Sequence, residues 1–418
     1  MKRCVLIGSL LVFGGWCPAA DWPRWRGPDG TGHVPAGAAV PKALPGEPKV
    51  VWRVKIGTGL ASPVVSGGKV FYLDNQQGKE TVHAAEAASG KELWSVPFDE
   101  AFRDYQSAPG PRCAPVADGE RLYVQSCRGE FQCLGAADGK RIWRVNFVKD
   151  FGAVFIGERG RAIGASRHGY SGPAVVDGQR IFVDVGGVAG ASVVCFNKQN
   201  GRVIWKSQND VPGHSGPVIA TIAGVKHVLS FTSEAAIGLD AADGKLLWRS
   251  PVRTRLGRHV ATPVVVDDMV VVSSYQAGLI GIRISKQGAA FGAERAWTIG
   301  GLGINFSSPV AVGNFLYGLG GGRTLFCVDV RTGQKAWADE RFFSDMVRKG
   351  YASFLVMNGT ILVLAEKGQL LLIAADPKQC RVISRTQVCG QNWCNPAYAD
   401  GKLFLRDAQE LRCVQLMP

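Results

Sequence analysis

The stretch AADGKLLW, residues 241–248, decides how the rest of the chain is read. It recurs as AASGKELW (87–94), AADGKRIW (136–143), KQNGRVIW (198–205) and VRTGQKAW (330–337). In each copy a tryptophan stands four residues after a turn glycine: Trp94, Trp143, Trp205, Trp248 and Trp337. The Asp-Gly, Ser-Gly, Asn-Gly and Thr-Gly pairs supply the positive φ that a tight hairpin needs. The tryptophan gives each unit one large apolar plate to set against a neighbour.

Working outward, each unit opens on a small residue and a proline, followed by an apolar run, a turn and a second apolar strand. Instances are SPVVSGGKVFYL (62–73), APVADGERLYV (114–124), GPAVVDGQRIFV (172–183), GPVIATIAGVKHVLSF (216–231), TPVVVDDMVVVSS (262–274), SPVAVGNFLYGL (308–319) and NPAYADGKLFL (395–405). An eighth, SFLVMNGTILVLAEKG (353–368), carries Phe354 at the proline position. Four short antiparallel strands per unit cannot bury both faces alone, so the units must stack, and radial stacking gives a propeller. Trp52, in KVVWRVKIG, has no unit before it, and the last unit lacks a tryptophan strand. Residues 49–56 are therefore expected to supply the outer strand of the final blade and close the ring. The expected fold is all-β: an eight-bladed propeller of four-stranded antiparallel blades. Two blades are worn: Ser384 replaces the tryptophan of the seventh, and the turn before Trp297 is irregular.

This unit resembles the tryptophan-docking repeat of the pyrroloquinoline quinone (PQQ)-like eight-bladed propellers, in the quinoprotein alcohol dehydrogenase-like superfamily. The resemblance covers nearly all of residues 47–418 and includes seven tryptophans (Trp52, Trp94, Trp143, Trp205, Trp248, Trp297, Trp337). The opening DWPRWRGPDGTG (21–32) resembles the WPxWRGPxxxG segment of many exported members. The family includes quinoprotein alcohol dehydrogenases and a lipoprotein subunit of the outer-membrane protein assembly machine, so the fold alone leaves function divided.

Residues 1–20 read as a secretory signal peptide: Lys2 and Arg3, an apolar run from Val5 to Phe13, then small residues. The run is too short to span a bilayer, and no transmembrane segment is expected later. The competing reading is a lipid anchor on Cys17, but Trp16 is bulky where such a signal carries a small residue. The expected domains are the signal peptide (1–20), an extended segment (21–46) and the propeller (47–418), with a periplasmic or secreted destination as a monomer. Cleavage removes two positive charges, taking the formal charge from +14 to +12. It leaves nine of the eleven cysteines. Export permits disulfides, and Cys127 with Cys133, or Cys389 with Cys394, are the candidate pairs. No zinc-like spacing is present, so no metal site is expected.

The residues before each blade proline should face one mouth of the channel. They include Arg112, Arg167, His168, His214, Arg258, His259, Asn305, Lys349, Asn392 and Trp393. Three of the chain's six histidines fall in these windows. A polar, positively charged ligand-binding collar follows. The long connection from Trp143 to Pro173, carrying Phe147, Phe151, Phe155, Arg159 and Arg161, should project on the same face.

The resemblance implies that an enzyme of the family would hold PQQ beside Ca²⁺ and use a carboxylate base. Calcium needs about six to eight oxygen ligands, yet no Asp or Glu lies within three residues before a blade proline. The adjacent Cys-Cys pair of the dehydrogenases and a CxxCH haem motif are also missing, as are GxSxG, HExxH and Walker-type signals. No catalytic residue and no cofactor is expected. The favoured function is a non-catalytic exported propeller, like the outer-membrane assembly scaffold, binding an envelope protein or an anionic small molecule and no nucleic acid. The alternatives are a PQQ-dependent dehydrogenase and a purely structural scaffold. Carboxylates reaching the mouth from Asp150, Glu158 or residues 99–104 would favour the dehydrogenase.

Overall fold

The computed structural model describes residues 21–417 apart from residues 106, 341 and 344–349. The signal peptide, Cys17 and Lys349 therefore lie outside the described residues. The strands form eight four-stranded antiparallel sheets. Blade one runs from Val64 to Glu100, and blade six ends with the strand Lys335–Asp339. Blade eight takes Ala397–Ala399, Lys402–Arg406 and Glu410–Gln415 from the C-terminus, and Lys49–Lys55 as its outer strand. The pairing of Val50 with Val414 and of Lys55 with Glu410 closes the ring. Ring closure makes the first and last parts of the sequence one cooperative sheet.

The seams explain the repeat. Trp52 Nε1 donates to Ala87 O of the next blade (2.9 Å), Trp143 to Lys198 O (3.0 Å) and Trp205 to Ala241 O (3.2 Å). Trp94, Trp297 and Trp337 dock likewise on Ala136, Val330 and Asp376. Trp248 is buried but its Nε1 finds no acceptor among the described residues; the hairpin of the next blade joins two ten-residue strands in place of the usual turn. Each turn glycine has a second reason to be glycine. A Cβ on Gly244, whose φ is +78°, would stand 2.6 Å from the Trp205 ring. The turn and the seam thus constrain the same residue.

Where blade seven lacks its tryptophan, residues 44–46 fill in: Leu44 N donates to Ser384 Oγ (2.8 Å) and Thr386 Oγ1 to Gly46 O (2.8 Å). The rest of the opening segment crosses the end of the channel opposite the mouth. Trp22 pairs with Val65, Ala117 N donates to Pro23 O, and Trp25 Nε1 donates to Thr262 Oγ1. The buried Arg26 reaches Pro309 O (2.6 Å), and His33 Nε2 meets Ala311 O (2.8 Å). Blades one, two, five and six are thereby tied by a segment outside the repeat.

The expected disulfides are corrected: all nine cysteines after residue 20 are free thiols. Cys133 pairs in register with Tyr123, whereas Cys127 sits in the connecting turn with its Sγ near Gly110 O. Their side chains therefore do not meet across the hairpin. Cys389 Sγ accepts from Asn392 Nδ2 (3.6 Å), and Cys394 Sγ points to Leu60 O (3.2 Å). No helix among the described residues is long and apolar enough to cross a membrane.

Candidate functional site at the channel mouth

The loops before the inner strands converge on a cavity of about 160 Å³ open to water-sized occupants. Arg112, His168, His214, Arg258 and Trp393 line it, as expected from their register before the prolines. Phe306 and Tyr351 add an aromatic wall with Trp393, at ring separations of 4.8 and 6.4 Å from it. Trp25, from the opening segment, lines the cavity as well.

Other members of the predicted collar are placed differently. His259 is fully buried, stacked 4.2 Å from Phe231, with Nδ1 donating to Thr232 O (2.7 Å). Burial lowers its pKa to about 4, so it packs as a neutral ring and does not line the mouth. Arg167 does not line the cavity either. Asn305 stands behind Arg258 and accepts from its Nη2 (2.9 Å). Asn392 is buried, donates to Ala365 O (3.1 Å) and borders an adjoining cleft with Trp393 and Asp407.

The charge of the collar is also corrected. Asp104 and Glu158 converge on His168: Asp104 Oδ2 is 3.4 Å and Glu158 Oε1 3.8 Å from His168 Nδ1. Arg112 Nη1 lies 3.0 Å from the same Asp104 oxygen, and its other Nη donates to Ser107 Oγ (2.8 Å). The mouth is thus a mixed network, not a cationic ring. These carboxylates come from loops outside the repeat, from two of the three stretches the sequence offered as able to reach the mouth, although the proline register itself does not place them. Glu158 arrives because the long connection is pinned by Phe147 against Tyr170 (5.0 Å), Phe151 against Phe196 (5.7 Å) and Phe155 against Phe102 (5.0 Å). Tyr105 N then donates to Glu158 Oε2 (2.6 Å). Asp150 stays away, accepting from Asn146 N in the first turn of the short helix Phe147–Phe151.

His214 completes the polar set. Its Nδ1 lies 3.1 Å from Ser171 Oγ, and that hydroxyl donates to His214 O (3.2 Å). Burial, with His168, Arg112 and Arg258 nearby, holds its pKa well below the ordinary histidine value.

The residues present do not fit PQQ with calcium. Calcium would need about six to eight oxygens. The two carboxylates at the mouth already serve Arg112, Ser107 and Tyr105, and no adjacent cysteine pair stands at the cavity.

A closed ring of eight blades, seven of them carrying the seam tryptophan, with one polar mouth defines the class of PQQ-like propellers. The family model described as "Outer membrane protein assembly factor BamB" matches residues 45–105 and 78–339, and the chain belongs to that family. Outer membrane protein assembly factor BamB of Shewanella oneidensis is 22% identical over 400 residues, covering 89% of each chain. Its Yersinia pestis counterpart is 24% identical over 258 residues, 57% of this chain and 58% of that protein. Among solved structures, BamB from Moraxella catarrhalis superposes with a TM-score of 0.58 at 15% identity, over 88% of this chain and 97% of that one. Quinohemoprotein alcohol dehydrogenase from Comamonas testosteroni gives 0.64 at 11% identity, over 94% and 80%. At these identities the structural likeness establishes the fold alone.

Proposed function

We propose that this chain is an exported, non-catalytic propeller that docks a protein of the outer-membrane assembly machinery on its mouth face. The family match supports the assembly role, its two overlapping segments together covering the closing strand through blade six. The observation that carries the docking face is an exposed apolar patch on the mouth-side loops of blades one to three. Tyr105 is 94% exposed, Val188 59%, Ile156 50% and Val154 48%. The loops that carry them are in contact: Tyr105 N bonds Glu158, Phe102 meets Phe155, and a Cβ on Gly152 would touch Val188. Contiguous exposed apolar side chains rimmed by charge mark interaction surfaces, and an aromatic such as Tyr105 is a typical anchor. Export and envelope residence follow from the same reading, with the signal peptide and the monomeric state as parts of the proposal. An anionic small ligand is a weaker component, because Asp104 and Glu158 offset the arginines.

The test places a photo-crosslinking residue at position 105 or 156 in the protein's own host. Adducts with an outer-membrane assembly component, lost in a Val188→Glu background, support the reading. Adducts that are absent, or that persist unchanged with Val188→Glu, overturn it.

A further inference from the structure

Two buried imidazoles share the cavity wall, and the docking proposal uses neither. His168 is 5% exposed and His214 9%, and both line the cavity. Each has its Nδ1 engaged, while each Nε2 is buried with no hydrogen-bond partner among the described residues. An orphaned buried ring nitrogen is costly unless something occupies it.

The Nδ1 partners decide what the Nε2 atoms can do. Carboxylates accept only, so Asp104 and Glu158 place a proton on His168 Nδ1. The Ser171 hydroxyl lies 3.2 Å from His214 O and 3.1 Å from His214 Nδ1, so donating its proton to the carbonyl leaves it to accept from Nδ1–H. With Nδ1 protonated in both neutral rings, both Nε2 atoms carry lone pairs. The ring centroids stand 5.8 Å apart with planes at 55°. An ion about 2.0–2.1 Å from each Nε2 lies about 3 Å from each ring centre, so two rings sharing it stand about 5–6 Å apart.

We propose that His168 and His214 bind a divalent transition-metal ion, Zn²⁺ or Cu²⁺, through their Nε2 atoms at the channel mouth. Imidazole ligands suit these ions. Asp104, Glu158 and Ser171 act as positioning residues that fix tautomer and ring orientation, the arrangement of carboxylate–histidine–metal triads. The remaining coordination positions face the cavity and take water or a ligand from solution.

An ion on the other side of His168, between Nδ1, Asp104 and Glu158, is geometrically conceivable, since these groups lie within 4.8 Å of one another. The Asp104 carboxylate is already engaged there, its Oδ2 standing 3.0 Å from the Arg112 guanidinium. Glu158 Oε2 is likewise held by Tyr105 N. The carboxylates are placed to orient the ring, not to ligate.

Cu²⁺ titration of the full-length protein, followed by electron paramagnetic resonance, tests this. The expected result is one saturable site with coupling to two imidazole nitrogens, for which Zn²⁺ competes only in large excess because Cu²⁺ binds imidazole more tightly. His168→Gln and His214→Gln should each weaken binding by roughly 100-fold or more, and Asp104→Asn by roughly 10–100-fold with the two-nitrogen spectrum kept. His33→Gln, at the opposite end of the channel, should change nothing. A wild-type spectrum without two coupled nitrogens, or one that survives both histidine substitutions, overturns the proposal, even where a variant folds poorly. An oxygen-dominated spectrum abolished by Asp104→Asn would place the ion on the Nδ1 side and also overturn it. The docking proposal is read by crosslinking and stands or falls separately.

Discussion

The seams between blades and the mouth of the channel are built from the same units by opposite rules. At a seam, one tryptophan, one carbonyl and one glycine repeat with small variations around most of the ring. At the mouth the contributions do not follow the repeat. Blade three brings His168, blade four His214, blade five Arg258 and blade eight Trp393, while Asp104 and Glu158 come from loops. Repetition marks what holds the ring together. Departure from repetition marks what the ring presents.

The largest expected break in this contrast is at a seam. Trp205→Ala removes a buried indole, its bond to Ala241 O and its contact with Gly244. It should cost about 3–5 kcal/mol, read from denaturant unfolding. A loss below about 1 kcal/mol would mean that the seams are not the structural unit argued here.

Next comes His259, a residue of a mouth window that turned inward. Its folded pKa, about 4, lies below the ordinary 6.5 because burial disfavours the charged ring. The unfolded chain therefore takes up a proton that the folded one refuses. The stability this confers is fully present above about pH 6.5 and is lost as pH falls toward 4, by about 3 kcal/mol. Glu80 runs the other way: burial raises its carboxyl to about 8, so its contribution is present below about pH 4.5 and lost as pH rises through 8. Stability measured from pH 7 to 4 in His259→Asn should have a shallower acid limb than wild type. An unchanged limb would remove His259 as its cause.

Gly244→Ala should be smaller, about 2 kcal/mol, combining left-handed backbone strain with overpacking on Trp205. The same change at Gly313, whose Cβ would meet nothing within 4 Å, should cost only the backbone part. The difference between the two melts isolates the seam contact. Smallest of all, His214→Gln should shift stability by less than about 1 kcal/mol, as expected where a position serves binding more than packing. A large loss there would make the mouth part of the scaffold.

Much of this was legible in the sequence. The register of Pro63, Pro115 and Pro173 with the tryptophans four residues past their glycines gave eight blades and the closing strand Lys49–Lys55. The same register brought Arg112, His168, His214, Arg258 and Trp393 to one mouth. It failed at His259, because position before a proline fixes a backbone site and not whether the ring turns toward solvent or toward Phe231. It failed for the cysteine pairs because closeness in sequence left Cys133 opposite Tyr123 and Cys127 in the turn. It could not foresee that Leu44 covers the gap left by Ser384, or that Trp25 reaches the cavity from the opposite side.

By itself, then, the sequence determined the number of blades, their order, the tryptophan seams and the ring closure. These are short-range consequences of hairpin chemistry and apolar alternation, repeated until only a closed stack buries both faces. Only the tertiary structure decided the chemistry of the mouth. Asp104, Glu158 and His168 are 54 and 10 residues apart along the chain, and nothing periodic links them. Closing the ring and pinning the long loop by its phenylalanines bring both carboxylates within hydrogen-bonding or ion-pairing distance of His168. Local pattern cannot encode that meeting, because it depends on where each loop ends after the blades have packed.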